Sequence, residues 1–198
     1  MSQYAVTNPA TGEVVETFDG ATDQEIQDVI AASKEAYADW STLTFSYRAE
    51  RLKKLADLLR TNSEDLAKVS CTEMGKPLEE MLGEIGFSAD IIDYYADNGE
   101  NFAAEQQIPT QGGNAVVRHL PIGPLLGIMP WNFPYYQVAR FVGPNLMLGN
   151  TIVLKHAEIC PKSALRFEEL TRQAGIPDGV YVNIFASVSY THLTLPTK

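Results

Sequence analysis

The second half of the sequence alternates short apolar runs with longer helical patterns, and this alternation restricts the fold more than any other feature. Runs at Leu125–Met129, Thr151–Lys155 and Val180–Phe185 have the length and apolar content of buried strands. A helical pattern from Pro134 to about Leu148 and another from Pro161 to Ala174 separate these runs. This order predicts a parallel sheet with right-handed crossovers, which is half of a doubly wound α/β domain.

The first hundred residues carry a different pattern, which is mainly helical. A turn segment, Asn8–Gly12, lies between two short β-type runs and predicts a hairpin of Tyr4–Val6 with Val14–Thr17. Thr22 and Glu25 have the spacing of a capping box at the start of a helix. Four amphipathic helices are predicted, from Thr22 to about Trp40, from Ser46 through Leu59, from Ser63 to Met74 and from Pro77 to Asn98–Gly99.

These patterns divide the chain into four parts. Residues 1–105 hold the hairpin and the helices, and residues 106–121 hold a polar loop followed by a β-type run at Ala115–Leu120. Residues 122–187 form the partial doubly wound unit. Residues 188–198 supply no further crossover helix and look like a translated adapter sequence, which predicts a non-native tail; an ordinary C-terminal strand is the alternative.

Composition excludes several classes of protein. The chain has 15 Lys and Arg against 25 Asp and Glu, a net charge of −10, so a nucleic-acid partner is not expected. No run of about 18 apolar residues predicts a membrane span, and the N-terminus lacks the features of a signal peptide. Cys71 and Cys160 do not form a CxxC metal or redox motif. We therefore expect a cytoplasmic protein without a bound metal.

The segment Met129–Pro134 reads Met-Pro-Trp-Asn-Phe-Pro and lies at a strand-to-helix junction. Pro130 ends the apolar run, and Pro134 suits the first turn of a helix because its missing N–H needs no partner there. Asn132 thus lies at the carboxyl end of a strand, where parallel α/β folds bind their ligands. Its amide can donate to a developing oxyanion. It can also cap the helix that follows.

This segment matches residue for residue the Pro-Trp-Asn-Phe-Pro signature of the aldehyde dehydrogenase superfamily, which the chain resembles from residue 1 to about residue 187. The resemblance implies an incomplete Rossmann-like cofactor-binding domain, with residues 106–121 holding an oligomerisation-type strand. It also implies that Asn132 stabilises the oxyanion formed when a catalytic Cys attacks an aldehyde. Met129, Pro130 and Trp131 are expected, with Asn132, to contact the cofactor.

The residues that carry covalent chemistry in this family are absent from the sequence. Its nucleophile lies in a Gly-Gln-x-Cys segment and its catalytic Glu in Glu-Leu-Gly-Gly, and neither segment occurs here. Cys71 has the pattern of a core residue, whereas Cys160 precedes a helix, where the pKa of a thiol can fall. We expect no aldehyde turnover by these 198 residues alone. A non-catalytic fragment or interaction module is the alternative function.

A second motif, Lys155-His156-Ala157-Glu158, ends the next predicted strand. The family usually reads Lys-Pro-Ser-Glu here, so His156 and Ala157 depart from its pattern. The resemblance implies that this segment binds NAD or NADP, with Lys155 and Glu158 on the adenine ribose. The carboxylate of Glu158 would repel a 2′-phosphate, which modestly favours NAD. The alternative for these two residues is a surface ion pair, and His156 by itself is a typical turn residue.

Phe133, Gln137 and Arg140 share one face of the predicted helix and are the candidate substrate contacts. The neighbouring residues are mostly apolar, so the charge of Arg140 needs a partner. The succinate-semialdehyde dehydrogenase branch of the family carries an Arg here to bind a carboxylate, which implies succinate semialdehyde as the small-molecule substrate. An internal salt bridge of Arg140 and a different aldehyde are the alternatives. Family members are homodimers or homotetramers, and the same is expected here.

Overall fold

The computed structural model describes residues 4–186. Six helices and seven strands lie within that range. In chain order they are β1 (Tyr4–Thr7), β2 (Val14–Phe18), α1 (Asp23–Trp40), α2 (Phe45–Thr61), α3 (Ser63–Met74), α4 (Leu78–Phe102), β3 (Gln106–Ile108), β4 (Ala115–Val117), β5 (Pro124–Ile128), α5 (Tyr136–Leu148), β6 (Thr151–Lys155), α6 (Pro161–Gln173) and β7 (Tyr181–Asn183).

The second half forms the predicted parallel sheet. Its strand order is β5-β6-β7, with Leu126 opposite Val153 and Val153 opposite Val182. All five residues of the central strand β6 are buried, because α1 and α5 both pack against it. Such burial on both sides is typical of a parallel sheet in an α/β fold. The α/β class and the order of its elements are therefore confirmed.

The helical first half packs against the sheet through one large buried cluster, and Ile26 of α1 packs on Val153 in a second, smaller one. Helices α2 and α4 pack against each other and against α5, which brings Leu52, Met81, Ile85 and Val142 into the same buried cluster. The capping box of α1 is present, since Thr22 N–H donates to Glu25 over 2.7 Å and Glu25 N–H donates to Thr22 over 3.3 Å. Tyr4 and Phe18 pair at one end of the predicted hairpin of β1 and β2.

Several predicted boundaries are wrong. The polar loop after residue 105 contains a strand, β3, which pairs antiparallel with β4. The run Ala115–Leu120 is a strand only as far as Val117, and α4 continues past Gly99 to Phe102. Helix α5 begins at Tyr136 rather than at Pro134. The predicted tail, residues 188–198, lies outside the described residues, and the division of the chain into four parts stays a prediction.

The structure of residues 4–186 also bears on membrane-spanning helices and on metal sites. Between residues 4 and 186, no helix is both long enough and apolar enough to cross a membrane. Within the same range, no three side chains of His, Cys, Asp or Glu lie close enough together to hold a metal ion.

Buried carboxylates from the helical half cap both crossover helices. Glu84 on α4 accepts the N–H groups of Tyr135 and Tyr136, over 2.9 and 3.1 Å, at the start of α5. Glu73 on α3 accepts the N–H groups of Lys162 and Ser163, over 2.6 and 3.1 Å, at the start of α6. A carboxylate satisfies the free N–H groups of a helix N-terminus and its positive dipole. These contacts fix where each helix starts after its strand.

Replacing Glu84 with Ala should lower the free energy of unfolding by about 3 kcal/mol, because it leaves the buried ammonium of Lys76 and two N–H groups without an acceptor. Urea denaturation of the purified chain measures this loss. Glu100→Ala is the matched control, since Glu100 is exposed on the same helix, and its effect should stay within about 0.5 kcal/mol. Equal losses in the two variants would show that Glu84 contributes no more than a surface residue.

Candidate functional site

The Pro-Trp-Asn-Phe-Pro segment connects the carboxyl end of β5 to α5. Met129 N–H donates to the carbonyl of Lys155 over 3.0 Å, so the chain leaves the sheet beside the end of β6. Asn132 then lies in an exposed bend. The N-cap residue of α5 is Tyr135, and the carboxylate that caps this helix belongs to Glu84. The hypothesis that Asn132 is the helix cap is therefore wrong.

Side chains from the α3–α4 connection and from the residue before α6 contact the bend around Asn132. The Lys76 ammonium lies 3.9 Å from the centre of the Phe133 ring and forms an ion pair with Glu84. The thiol of Cys160 lies 3.9 Å from the carbonyl of Trp131. These contacts lie on the inner side of the bend. Its outer side, including the side chain of Asn132, is exposed to solvent.

His156 contacts the same bend from the end of β6. Its Nδ1 accepts the N–H of Ala157 over 2.8 Å, and its Nε2 lies 3.0 Å from the carbonyl of Pro134. Burial lowers the pKa of His156 to about 4, an effect that the hydrogen bond to Pro134 partly opposes and the charge of Lys155 reinforces. The imidazole is therefore neutral at pH 7. His156 is more than a turn residue, because it is buried and bridges two segments.

Lys155 and Glu158 lie beside β1 at the carboxyl end of β6. The side chain of Lys155 is only 6 % exposed, and its ammonium lies 3.4 Å from the carbonyl of His156 and 5.6 Å from the centre of the Tyr4 ring. Burial lowers the pKa of Lys155, and the nearby Glu158 carboxylate raises it. One carboxylate oxygen of Glu158, Oε1, is buried and has no hydrogen-bond partner in the part of the chain that the structure describes. The hypothesis of a surface ion pair is wrong, because Lys155 is buried and the two groups form no salt bridge among residues 4–186.

Arg140 lies on the exposed side of α5. Its guanidinium carbon is 5.3 Å from the centre of the Tyr136 ring, and within the described residues it forms no salt bridge. The argument that an apolar helix forces this charge to find a partner is wrong, because Arg140 points away from the core. Gln137, the third predicted contact, is half-buried. The guanidinium is consequently free to meet an anion.

A groove of about 360 Å³ adjoins Phe133 between α4 and α5. Three of its six lining residues are aromatic, with Phe87 stacked on Tyr136 at 5.5 Å between ring centres and Phe133 edge-on to Tyr136 at 5.7 Å. The remaining lining residues are Glu80, Gly83 and Glu84. The aliphatic part of a ligand fits such walls. The guanidinium of Arg140 lies next to the groove, because it contacts the ring of Tyr136.

The two cysteines have no features of a nucleophile. Cys160 is fully buried, and burial together with the charges of Glu73 and Glu84 raises the pKa of its thiol, so the predicted lowering of that pKa is wrong. Burial also raises the pKa of Cys71 on α3. A raised pKa removes the thiolate that attacks a carbonyl.

Three residues that support the site were missed in the sequence, namely Lys76, Glu84 and Phe87. Glu84 carried a signal, because it lies three residues after Met81 and one before Ile85 on the buried stripe of α4. A carboxylate on an apolar stripe requires a partner. The sequence offered no indication of which segment would supply that partner.

The family assignment rests on this geometry and on comparison with known proteins. The model of the aldehyde dehydrogenase family matches residues 1–193. The chain belongs to the aldehyde dehydrogenase family. It is 43% identical over 186 residues to a succinate-semialdehyde dehydrogenase [NADP(+)] of Deinococcus radiodurans, covering 94% of this chain and 39% of that relative.

Two further relatives show the same extent of likeness. A succinate semialdehyde dehydrogenase [NAD(P)+] of Escherichia coli is 36% identical over 174 residues, which is 88% of this chain and 38% of the relative. The crystal structure of succinic semialdehyde dehydrogenase from Streptococcus pyogenes with NADP+ superposes with a TM-score of 0.92 at 39% identity, covering 95% of this chain and 42% of that one. The chain spans about two fifths of the length of the relatives it matches, so the aldehyde dehydrogenase domain is incomplete in it.

Proposed function

We propose that this chain is part of an NAD(P)-dependent enzyme that oxidises an aldehyde to a carboxylic acid, with succinate semialdehyde as the substrate and succinate as the product. The observation that carries the proposal is the exposed side chain of Asn132 at the carboxyl end of β5, left free because Glu84 caps the following helix. The names of the relatives support the substrate.

Asn132 has the position of an oxyanion donor. When a catalytic Cys of the complete enzyme attacks the carbonyl carbon, negative charge develops on the carbonyl oxygen. The side-chain amide of Asn132 donates a hydrogen bond to that oxygen. A fixed donor aimed at developing charge stabilises the transition state more than the ground state. NAD(P)+, when bound, accepts the hydride.

Lys155 and Glu158 suit the hydroxyl groups of a ribose. The buried ammonium of Lys155 can donate, and the buried Oε1 of Glu158, which has no partner between residues 4 and 186, can accept, so each hydroxyl finds a charged partner. Met129, Pro130 and Trp131 complete the cofactor contacts at the end of β5. His156 and Ala157 belong to the same segment, where His156 acts through the hydrogen bonds of its ring rather than through a charge.

The carboxylate of Glu158 bears on the choice between NAD and NADP. It repels a 2′-phosphate on the ribose, and the resulting preference for NAD is modest. The relatives are named for NADP+ or for NAD(P)+. We therefore propose that the enzyme accepts both nucleotides.

Arg140 is proposed to bind the substrate carboxylate. It is exposed, it lies beside Tyr136 at the aromatic groove, and it has no salt-bridge partner among residues 4–186. A guanidinium binds a carboxylate through two parallel hydrogen bonds. Phe133 lies in the wall of the groove and Gln137 one helical turn before Arg140, so both lie close to the aliphatic part of such a substrate.

Replacing Arg140 with Ala in an extended protein that also supplies the nucleophile should raise KM for succinate semialdehyde about 10- to 100-fold, because a charged hydrogen bond contributes about 1.5–3 kcal/mol. Initial rates with succinate semialdehyde and with an uncharged aldehyde such as propanal measure the effect. Arg172→Ala is the matched control, since Arg172 is an exposed Arg on a different helix. Equal changes of KM for both aldehydes would show that Arg140 does not bind the carboxylate.

We also propose that these 198 residues alone do not oxidise aldehydes. The sequence contains no Gly-Gln-x-Cys segment, and the pKa of Cys160 and that of Cys71 are both raised by burial. The purified chain with succinate semialdehyde and NAD+ should form no NADH above the rate without protein. Aldehyde-dependent NADH formation that disappears in Cys160→Ser would overturn this proposal.

Assembly and location are proposals as well. The exposed apolar residues of the β3–β4 hairpin, Ile108, Val116 and Val117, support a homodimer or homotetramer formed through that hairpin. Two free cysteines support a cytoplasmic location. A non-catalytic interaction module remains the second candidate function, and the raised pKa of both thiols favours it for the chain in isolation.

A further inference from the structure

The imidazole of His156 bridges the two parts of the candidate site. The ring follows directly after β6 and is 1% exposed. Its Nδ1 accepts the N–H of Ala157, so the ring proton must lie on Nε2. Nε2 then donates to the carbonyl of Pro134 over 3.0 Å. Both ring nitrogens are occupied, which fixes the tautomer and the orientation of the ring.

The carbonyl that His156 binds belongs to the bend that carries Asn132. Pro134 lies two residues after Asn132 and two before the first residue of α5. On one side of this carbonyl, Glu84 holds the N–H groups of Tyr135 and Tyr136. On the N-terminal side of Asn132, the thiol of Cys160 contacts the carbonyl of Trp131 over 3.9 Å, which is a long distance for a hydrogen bond. Among residues 4–186, two side-chain hydrogen-bond contacts join the bend to the segment after β6, and the one from His156 is the shorter.

We propose that His156 is a positioning residue, whose Nε2–H holds the carbonyl of Pro134 and thereby sets the position of Asn132 relative to Lys155 and Glu158. This inference rests on the proposed function of Asn132. His156 is adjacent to Lys155 in the chain, so a ligand that moves the end of β6 also moves the ring. The proposed ribose contacts, Lys155 and Glu158, and the oxyanion donor are then coupled through one side chain.

The test uses NMR of the isotope-labelled 198-residue chain. Its two Trp residues give two indole signals, one from Trp131 next to Asn132 and one from buried Trp40, whose indole N–H donates to Leu146. Trp131 and the side-chain amide of Asn132 report on the bend, and Trp40 reports on the fold. His156→Ala removes the donor, whereas His156→Gln retains an N–H near the position of Nε2. His119→Ala is the matched control, because His119 is exposed.

In His156→Ala, the signals of Trp131 and Asn132 should shift by more than a linewidth. Hydrogen exchange at the N–H groups of Tyr135 and Tyr136 should become about tenfold faster, as expected for the loss of one hydrogen bond. His156→Gln should stay close to wild type, and His119→Ala should change nothing near the bend. If His156→Ala leaves Trp131 and Asn132 unshifted while Trp40 is intact, the proposal is overturned.

His156→Gln decides the matter if His156→Ala does not fold, which the loss of the Trp40 signal would reveal. If the signals of Trp131 and Asn132 shift by more than a linewidth in a folded His156→Gln variant, the proposed role of the Nε2–H donor is overturned. If these signals do not shift, the proposed role is supported. Adding NAD+ to the wild-type chain separates this result from the proposed function. Absence of NAD+-induced shifts at Lys155 and Glu158 would count against the cofactor site, whereas the effect of His156 on the bend is measured without nucleotide.

Discussion

Two buried carboxylates on the helical layer bind the N-termini of the two crossover helices. Glu84 holds the start of α5 and Glu73 holds the start of α6. Each strand of a parallel sheet must be followed by a turn into a helix, and the free N–H groups at that turn need acceptors. Because these acceptors come from α3 and α4, the site residues after β5 and β6 are placed by the helical half of the chain. The exposed position of Asn132 depends on this arrangement.

The same arrangement gives the candidate site two parts. One part is the bend after β5, with the exposed amide of Asn132 beside an aromatic groove. Arg140 lies next to this groove and has no salt-bridge partner within the described range, residues 4–186. The other part is the segment after β6, where Lys155 is buried and, among residues 4–186, Oε1 of Glu158 has no hydrogen-bond partner. Parallel α/β folds bind ligands at the carboxyl ends of their strands, where both parts lie. An amide donor, a charged Lys–Glu pair of residues and an apolar groove at the same end of the sheet suit a polar cofactor and a small carbonyl substrate.

Much of this fold could be predicted from the sequence, because local patterns specify it. The apolar runs of β5 and β6, the capping box of Thr22 and Glu25, and the Pro-Trp-Asn-Phe-Pro segment all lie where they were expected. Partners distant in the chain could not be predicted. Glu84 binds N–H groups more than fifty positions away, and His156 binds a carbonyl twenty-two positions away. Nor does helical spacing alone decide whether Arg140 faces the core or solvent.

We propose that the carboxyl ends of β5 and β6 hold the nucleotide of an aldehyde dehydrogenase. A crystal structure of the chain with NAD+ tests this proposal. We expect the hydroxyl groups of the adenine ribose within hydrogen-bond distance of Lys155 Nζ and Glu158 Oε1. Electron density for the ribose at the amino ends of β5 and β6, near Gly123 and Asn150, would contradict the proposal.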